Sequence, residues 1–277
     1  MLIYIITVLV SLIIAFLCGS IPVALAIGKS MRGLDIREHG SGNAGSANAV
    51  RVLGFGPGLL VFVGDVLKGA LGCVIVTVAT GIAVLAVSSA AVDQATLLMQ
   101  SGTEVLEFDP IISIVASDYS SLLYEIPRAL AIIAAILGHM FSPVMSFKGG
   151  KGVATALGAI AVTLPIIAIC SLTVFVIVVL ITRYVSLSSI VAVSTVPIFT
   201  IFFPIASNGL LGIESVASQP LANSFLTFVS TAAPSSLVFS VFTVVLALVV
   251  IWAHRKNIGR LLRKEEPKFS LRKKEAV

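Results

Sequence analysis

Residues 153–182 read VATALGAIAVTLPIIAICSLTVFVIVVLIT, an uninterrupted run without a charge, and Arg183 follows it. A helix crossing the hydrocarbon core needs about 20 apolar residues, so this run exceeds one ordinary span. Pro165 lacks an N–H and restricts Leu164 before it, which places a break between them. Two short helices meeting there return Arg183 to the side on which the run began; a re-entrant half-span would return it to the same side. Hydrophobic residues make up 58% of the chain and charged ones 11%, and the mean hydropathy is +1.11. That composition excludes a soluble domain. The chain reads as an all-α integral membrane protein, a single polytopic domain over residues 1–277. Cys18, Cys73 and Cys170 lie inside apolar runs without ligand-like spacing, so they read as packing residues.

The charges flanking the apolar runs set the topology. Residues 29–54 carry Lys29, Arg32, Arg37 and Arg51 against Asp35 and Glu38, and the positive-inside rule makes this loop cytoplasmic with the N-terminus outside. The first apolar segment, Leu2 to Ile27, has no basic start and is too long for a signal peptide, so it stays as a helix kinked near Pro22. A second helix runs from near Pro57 to about Val87. Residues 88–127 are acidic and hold no Lys or Arg, as expected of an extracytoplasmic loop. A third helix, Arg128 to about Met145, leads to a cytoplasmic loop at 146–152. Residues 206–236, again without Lys or Arg, form a second extracytoplasmic loop, and the last helix leads into a basic cytoplasmic tail at 254–277. An odd number of crossings must separate Gly152 inside from Ala206 outside. Two short helices meeting at Pro165 and a third from Val185 supply it, with 183–189 as a cytoplasmic turn. The expectation is about seven transmembrane helices, with the C-terminus cytoplasmic.

Immediately before the opening stretch stands FKGGKG, residues 147–152. Gly149, Gly150 and Gly152 let the backbone turn tightly and aim several N–H groups at one anion, and Lys148 and Lys151 add positive charge beside them. A basic turn between two membrane helices would look similar. A Walker P-loop requires glycine where Met145 stands and Ser or Thr where Gly152 stands, so nucleotide hydrolysis is not expected. The first cytoplasmic loop, GSGNAGSANAVR at 40–51, repeats the theme. Ser41, Gly42, Asn43, Gly45 and Asn48 offer hydroxyl, amide and backbone donors, and Arg51 can grip a phosphate with two hydrogen bonds. A flexible surface turn shares this composition, but beside the glycine-lysine loop the phosphate reading prevails.

Asp65 and Lys68 lie three residues apart inside the second helix, where charge is expensive and faces an interior. They read equally as an ion pair that packs the bundle and as a substrate contact. Ser188, in the hydroxyl-rich turn Arg183 to Ser189, could contact substrate or cap a helix. His39, His139 and His254 all fall at the cytoplasmic boundary. No two of them have helical metal-site spacing and no carboxylate cluster accompanies them, so no metal is expected. His254, with Asn257 one turn on, is the candidate for proton transfer or phosphate contact; a histidine merely marking the membrane boundary is the plain alternative.

Together these motifs resemble the bacterial acyl-phosphate:glycerol-3-phosphate acyltransferases, the PlsY family. The matching signatures are GSIP at 19–22, SGNxGxxNxxR at 41–51, DxxKG at 65–69, GHxF with FKGGKGVAT at 138–155, TRYVSLSS at 182–189 and HRxNIxRLL at 254–262. The resemblance implies seven helices around a cytoplasmic-side groove. It also implies transfer of a fatty acyl group from acyl phosphate to the 1-hydroxyl of glycerol 3-phosphate, giving lysophosphatidic acid and inorganic phosphate. Carried over by position, Ser41, Arg51, Lys151, His254 and Asn257 are the catalytic set. Gly42, Asn43, Gly45, Asn48, Lys68, Lys148, Gly149, Gly150, Gly152 and Ser188 are the substrate- and phosphate-binding set, while Asp65, His139 and Glu266 are structural.

The partners implied are acyl phosphate, glycerol 3-phosphate and membrane lipid, with no cofactor, no nucleic acid and a monomeric state, in the bacterial cytoplasmic (inner) membrane. The chain departs from the family pattern at Ala44, Ser46 and Ala47, where SGNPGATN is usual. An acyl phosphate is already activated, so the protein's task is to neutralise phosphate and align the hydroxyl. The alternative is a transporter of a phosphorylated solute, for which intramembrane charge would also serve.

Overall fold

The structure is a computed structural model describing residues 1–100, 110–205 and 237–269. Ten α-helices follow in chain order among these residues: α1 Leu2–Gly19, α2 Val23–Arg32, α3 Ser46–Leu53, α4 Phe55–Gln100, α5 Pro110–Met140, α6 Val153–Thr163, α7 Pro165–Thr182, α8 Val185–Ile205, α9 Leu237–Ala253 and α10 Arg255–Leu262. The described residues contain no strand. Every backbone polar group in hydrocarbon must be satisfied within its own segment, which is why apolar runs of this kind become helices.

Among the described residues the apolar helical segments follow the expected order, but fewer than the expected seven are long enough to cross a membrane. Five are long and apolar enough to cross a membrane: 2–32, 55–87, 122–145, 165–182 and 185–202. A sixth is formed if α9 and α10, bent by 60° across His254, are taken as one. The remaining segment is α6, whose 11 residues reach about 16 Å, half the thickness of a bilayer core. The break falls at Leu164-Pro165 as the sequence predicts, with Pro165 at the start of α7 where its missing N–H costs nothing.

Several boundaries differ from the sequence reading. The first span does not end at Ile27; it breaks at Ser20 to Pro22 and continues through α2, so Lys29 and Arg32 are helical. Residues 29–54 are therefore only partly loop, holding a 3-10 turn at Ile36–Glu38 and the helix α3. The stretch 88–127 is not a plain loop either. α4 continues to Gln100 and α5 begins at Pro110, carrying Pro127 internally. Charge sets the side of a membrane but does not stop a helix, and no strong breaker follows Val87. The tail from 254 opens with α10. Residues 101–109, 206–236 and 270–277 lie outside the described residues, and with them the second outer loop.

Backbone contact positions α6. A Cβ on Gly69 of α4 would lie 2.1 Å from the Thr155 carbonyl oxygen, and one on Gly158 of α6 would lie 1.9 Å from that of Val66. The two helices thus touch backbone to backbone, the small-residue packing that membrane helices use in place of a hydrophobic drive. This fixes the start of α6, and the loop before it, against α4. The core around them includes Val76, Ile132, Ile136, Ile160, Val196 and Leu246.

Candidate functional site

The glycine-lysine loop is held from three sides. The Gly149 N–H donates to the Met140 carbonyl (3.1 Å), fastening the loop to the end of α5. The imidazole of His139 lies directly beneath Gly150, where a Cβ would come within 2.2 Å of Nε2. From the first loop, Arg37 donates from Nη1 to the Met145 carbonyl (2.8 Å) while its own carboxylate partner, Asp35, stands 2.7 Å away. Gly152 takes a left-handed φ of 79° and begins α6 without any side-chain cap, so the positive end of that helix and its first N–H groups remain for an anion.

Lys151 is the lysine of this loop that matters to the site. Its Nζ donates to Oδ1 of Asn257, whose Nδ2 donates to Oε1 of Glu266 (2.7 Å); Arg260 donates from Nε to the other carboxylate oxygen (2.6 Å). Burial pushes Lys151 down to about 8, with Glu266 opposing the shift and Arg260 and Arg51 adding to it. Burial raises the Glu266 carboxyl, but hydrogen bonds from Arg260 and Asn257 outweigh it and hold the group below its ordinary value. Glu266 is thus a buried anion that orients Asn257, and Asn257 in turn aims Lys151. The structural role expected of Glu266 fits this geometry.

His254 stands at the break between α9 and α10, 2% exposed. Its Nδ1 lies 2.8 Å from the Val250 carbonyl, which can only accept, so Nδ1 carries the proton and Nε2 is the nitrogen left for a ligand.

These groups open on one cavity of about 360 Å³. Ser41, Asn43, Gly45 and Arg51 reach it from the first loop, Lys151 and Gly152 from the second, and His254, Asn257 and Glu266 from the tail. Asp65 and His139 form part of its wall. Beyond this polar mouth the lining turns apolar, through Phe62, Leu157, Ile160, Phe175, Val193 and Val196. A site with concentrated cations at one end and hydrocarbon at the other fits an amphiphilic anion.

Not every residue of the expected set belongs here. Lys68 is buried and away from the cavity, 2.7 Å from Asp65 and donating to the Ile21 carbonyl (2.9 Å), so the packing reading of that pair fits and substrate contact does not. The Lys148 side chain is exposed and outside the lining. Ser188 is fully buried and bonds back to the Tyr184 carbonyl (2.8 Å) on another face of α8. Asn48, though it borders the cavity, spends its amide inside the loop: Oδ1 accepts from the Ser41 N–H, and Nδ2 donates to the Ile36 and His39 carbonyls. Gly42 and Gly149 shape their loops without lining the cavity, and Gly150 is placed by its contact with His139.

Sequence reasoning missed Ser186 and Ser189, which do line the cavity. They stand three residues apart on one helical face, and that periodicity was the available signal. Ser46 also lines it, while Ala44 packs with Leu25 and Met145 behind the loop. Phe269 completes the lining, its N–H donating to the Arg183 carbonyl (2.7 Å) and tying the tail across the turn between α7 and α8.

Residues 9–264 match the family described as glycerol-3-phosphate acyltransferase. A glycerol-3-phosphate acyltransferase of Clostridioides difficile is 31% identical over 94% of this chain and 95% of its own. One of Bacillus cytotoxicus is 34% identical over 95% and 96%. Among solved structures, PlsY, an integral membrane glycerol 3-phosphate acyltransferase, is similar in its glycerol 3-phosphate form at 30% identity and a TM-score of 0.59, covering 95% of this chain and 96% of that one. Its lysophosphatidic acid form matches with a TM-score of 0.57 over the same shares.

Proposed function

Because this chain belongs to the glycerol-3-phosphate acyltransferase family, we propose that it takes the acyl group from acyl phosphate and places it on the sn-1 hydroxyl of glycerol 3-phosphate. The observation that carries the reading is the single cavity whose cationic mouth continues into an apolar groove. The family membership sets aside carriage of a phosphorylated solute.

In this reading Arg51, Lys151 and the start of α6 neutralise phosphate at the mouth, and the acyl chain lies in the groove. The hydroxyl oxygen attacks the acyl carbon, the carbon–oxygen bond to phosphate breaks, and inorganic phosphate leaves. His254 accepts a hydrogen bond from the hydroxyl at Nε2 and aligns it, and the leaving phosphate carries the proton away. Fixed cations aimed at developing charge stabilise such a step by several kcal/mol, roughly 2.7–4 per donor. The protein works as a monomer in the bacterial cytoplasmic membrane, with the mouth and the basic tail on the cytoplasmic side, as the loop charges favour.

The test is phosphate release by the purified protein given palmitoyl phosphate, with and without glycerol 3-phosphate. Release that needs glycerol 3-phosphate and matches lysophosphatidic acid one for one is expected. Release independent of glycerol 3-phosphate would mean a phosphatase and would overturn the proposal.

A further inference from the structure

The groove has a floor, and the floor is the break between α6 and α7. Lys151 and Gly152 stand at the mouth and α6 lines the groove below them from Val153 to Ile160; α8 lines it from Val185 to Val196, and α7, read backwards, from Val179 to Ala168, all of them bordering the cavity. The lining ends on Ile160, Ala168 and Val196, which are 3%, 4% and 1% exposed. Ile160 and Ala168 stand four residues either side of Leu164 and are bonded to it through the backbone: Leu164 N–H donates to the Ile160 carbonyl (2.7 Å) and Ala168 N–H to that of Leu164 (3.0 Å). Leu164 and Ile167, each 1% exposed, fill the corner itself. A proline-terminated short helix therefore closes the groove partway across the membrane.

Two helices give its depth independently. From Val185 to Val196, and from Val179 to Ala168, eleven residue steps at about 1.5 Å measure about 16 Å. An extended hydrocarbon chain advances about 1.25 Å per carbon, given C–C bonds near 1.5 Å and angles near 111°. About 13 carbons then fit between the mouth and the floor, and the acyl carbon itself sits at the mouth.

We propose that the α6–α7 corner is a ruler for the acyl chain, with Ile160, Ala168 and Val196 limiting extended acyl groups to about 14 carbons. This inference rests on the acyltransferase reading given above. A longer chain must bend or displace these side chains, and overpacking of that kind costs on the order of ten-fold in rate or more. Removing side-chain carbons at the floor lengthens the preferred chain, and adding them shortens it.

The experiment compares initial rates with dodecanoyl, tetradecanoyl, hexadecanoyl and octadecanoyl phosphate for the full-length protein and for Ile160→Ala and Ala168→Leu. The wild type is expected to peak at 14 carbons. Ile160→Ala is expected to move the peak up by about two carbons, Ala168→Leu to move it down by a similar amount, and the 18-to-12-carbon rate ratio to change about ten-fold in opposite directions. In parallel, thermal stabilisation by lysophosphatidic acids of the same lengths reads the groove without turnover and is expected to shift in the same two directions. Unchanged length profiles in both assays, or shifts in the same direction for both variants, would overturn the ruler while leaving the reaction standing. Absence of turnover with every acyl phosphate would instead strike the reaction. The stabilisation series would still decide the ruler, a length order that moves oppositely in the two variants supporting it and any other order overturning it.

Discussion

Raising the pH above about 8 is expected to disarm the phosphate mouth, because Lys151 loses its charge there. Burial lowers this lysine, so the cationic form is complete only below that pH; kcat/KM for glycerol 3-phosphate, which reports the free enzyme, falls as pH rises through it. Glu266 works against that fall, since its negative charge favours cationic Lys151. With the Asn257 amide between them, the two charges stand about 7 Å apart. At an effective dielectric of about 20 this is about 2 kcal/mol, and water at the mouth reduces it to roughly 1 kcal/mol. Glu266→Gln is therefore expected to move the basic limb of the profile down by about one pH unit. The assay is kcat/KM from pH 6 to 10 (a range of about four units) for the wild type, Glu266→Gln and Lys151→Arg, the last of which keeps its charge throughout and loses the limb. A limb that stays in place in Glu266→Gln, or persists in Lys151→Arg, would refute the link from Glu266 through Asn257 to Lys151.

The two lysines of the loop are expected to separate cleanly. Lys151→Ala lowers kcat/KM by roughly 10²–10³, whereas the exposed Lys148→Ala stays within about two-fold, as phosphate release at fixed substrate would tell. Gly150→Ala drives a methyl to 2.2 Å from His139 Nε2 and displaces the loop, with activity falling about 100-fold while the amount of protein in the membrane is unchanged. Asp65→Ala strands Lys68 in the bundle and lowers stability in detergent by about 3–5 kcal/mol, read as the denaturation midpoint. Adding Lys68→Met to that variant recovers most of the loss.

What the sequence made legible was what repeats or breaks a rule. The apolar runs, the Leu164-Pro165 break and the glycine-lysine loop all did so; the break and the loop are where they were read, and the runs are helical in the expected order with several ends displaced. The side chains that gather from residues 41–51, 151–152 and 254–266 at one cavity were also readable, because polar residues concentrated at the ends of apolar runs must share a membrane face. What could not be read was where each side chain spends its hydrogen bonds. Asn48, Lys68 and Ser188 carry the right chemistry, but each is engaged by a nearby backbone carbonyl, N–H or carboxylate. Ser186 differs from Ser188 only in helical phase, which a motif of consecutive hydroxyls conceals. The helix ends at Arg32 and Gln100 were obscured because charge and polarity mark the membrane boundary, and a helix is free to cross that boundary.

The bond between Asn257 and Glu266, and the closure of Phe269 over Arg183, give the site a particular place in the life of the chain. A ribosome has made the first loop, the glycine-lysine loop and all the helices through α9 before it reaches the three residues His254, Asn257 and Glu266 that complete the mouth. A chain ending before residue 257 lacks the amide that aims Lys151, and one ending before residue 266 lacks the carboxylate that orients that amide. The aimed lysine therefore belongs to chains translated through residue 266, and a frameshift ahead of Asn257 would leave Lys151 without the pair that orients it.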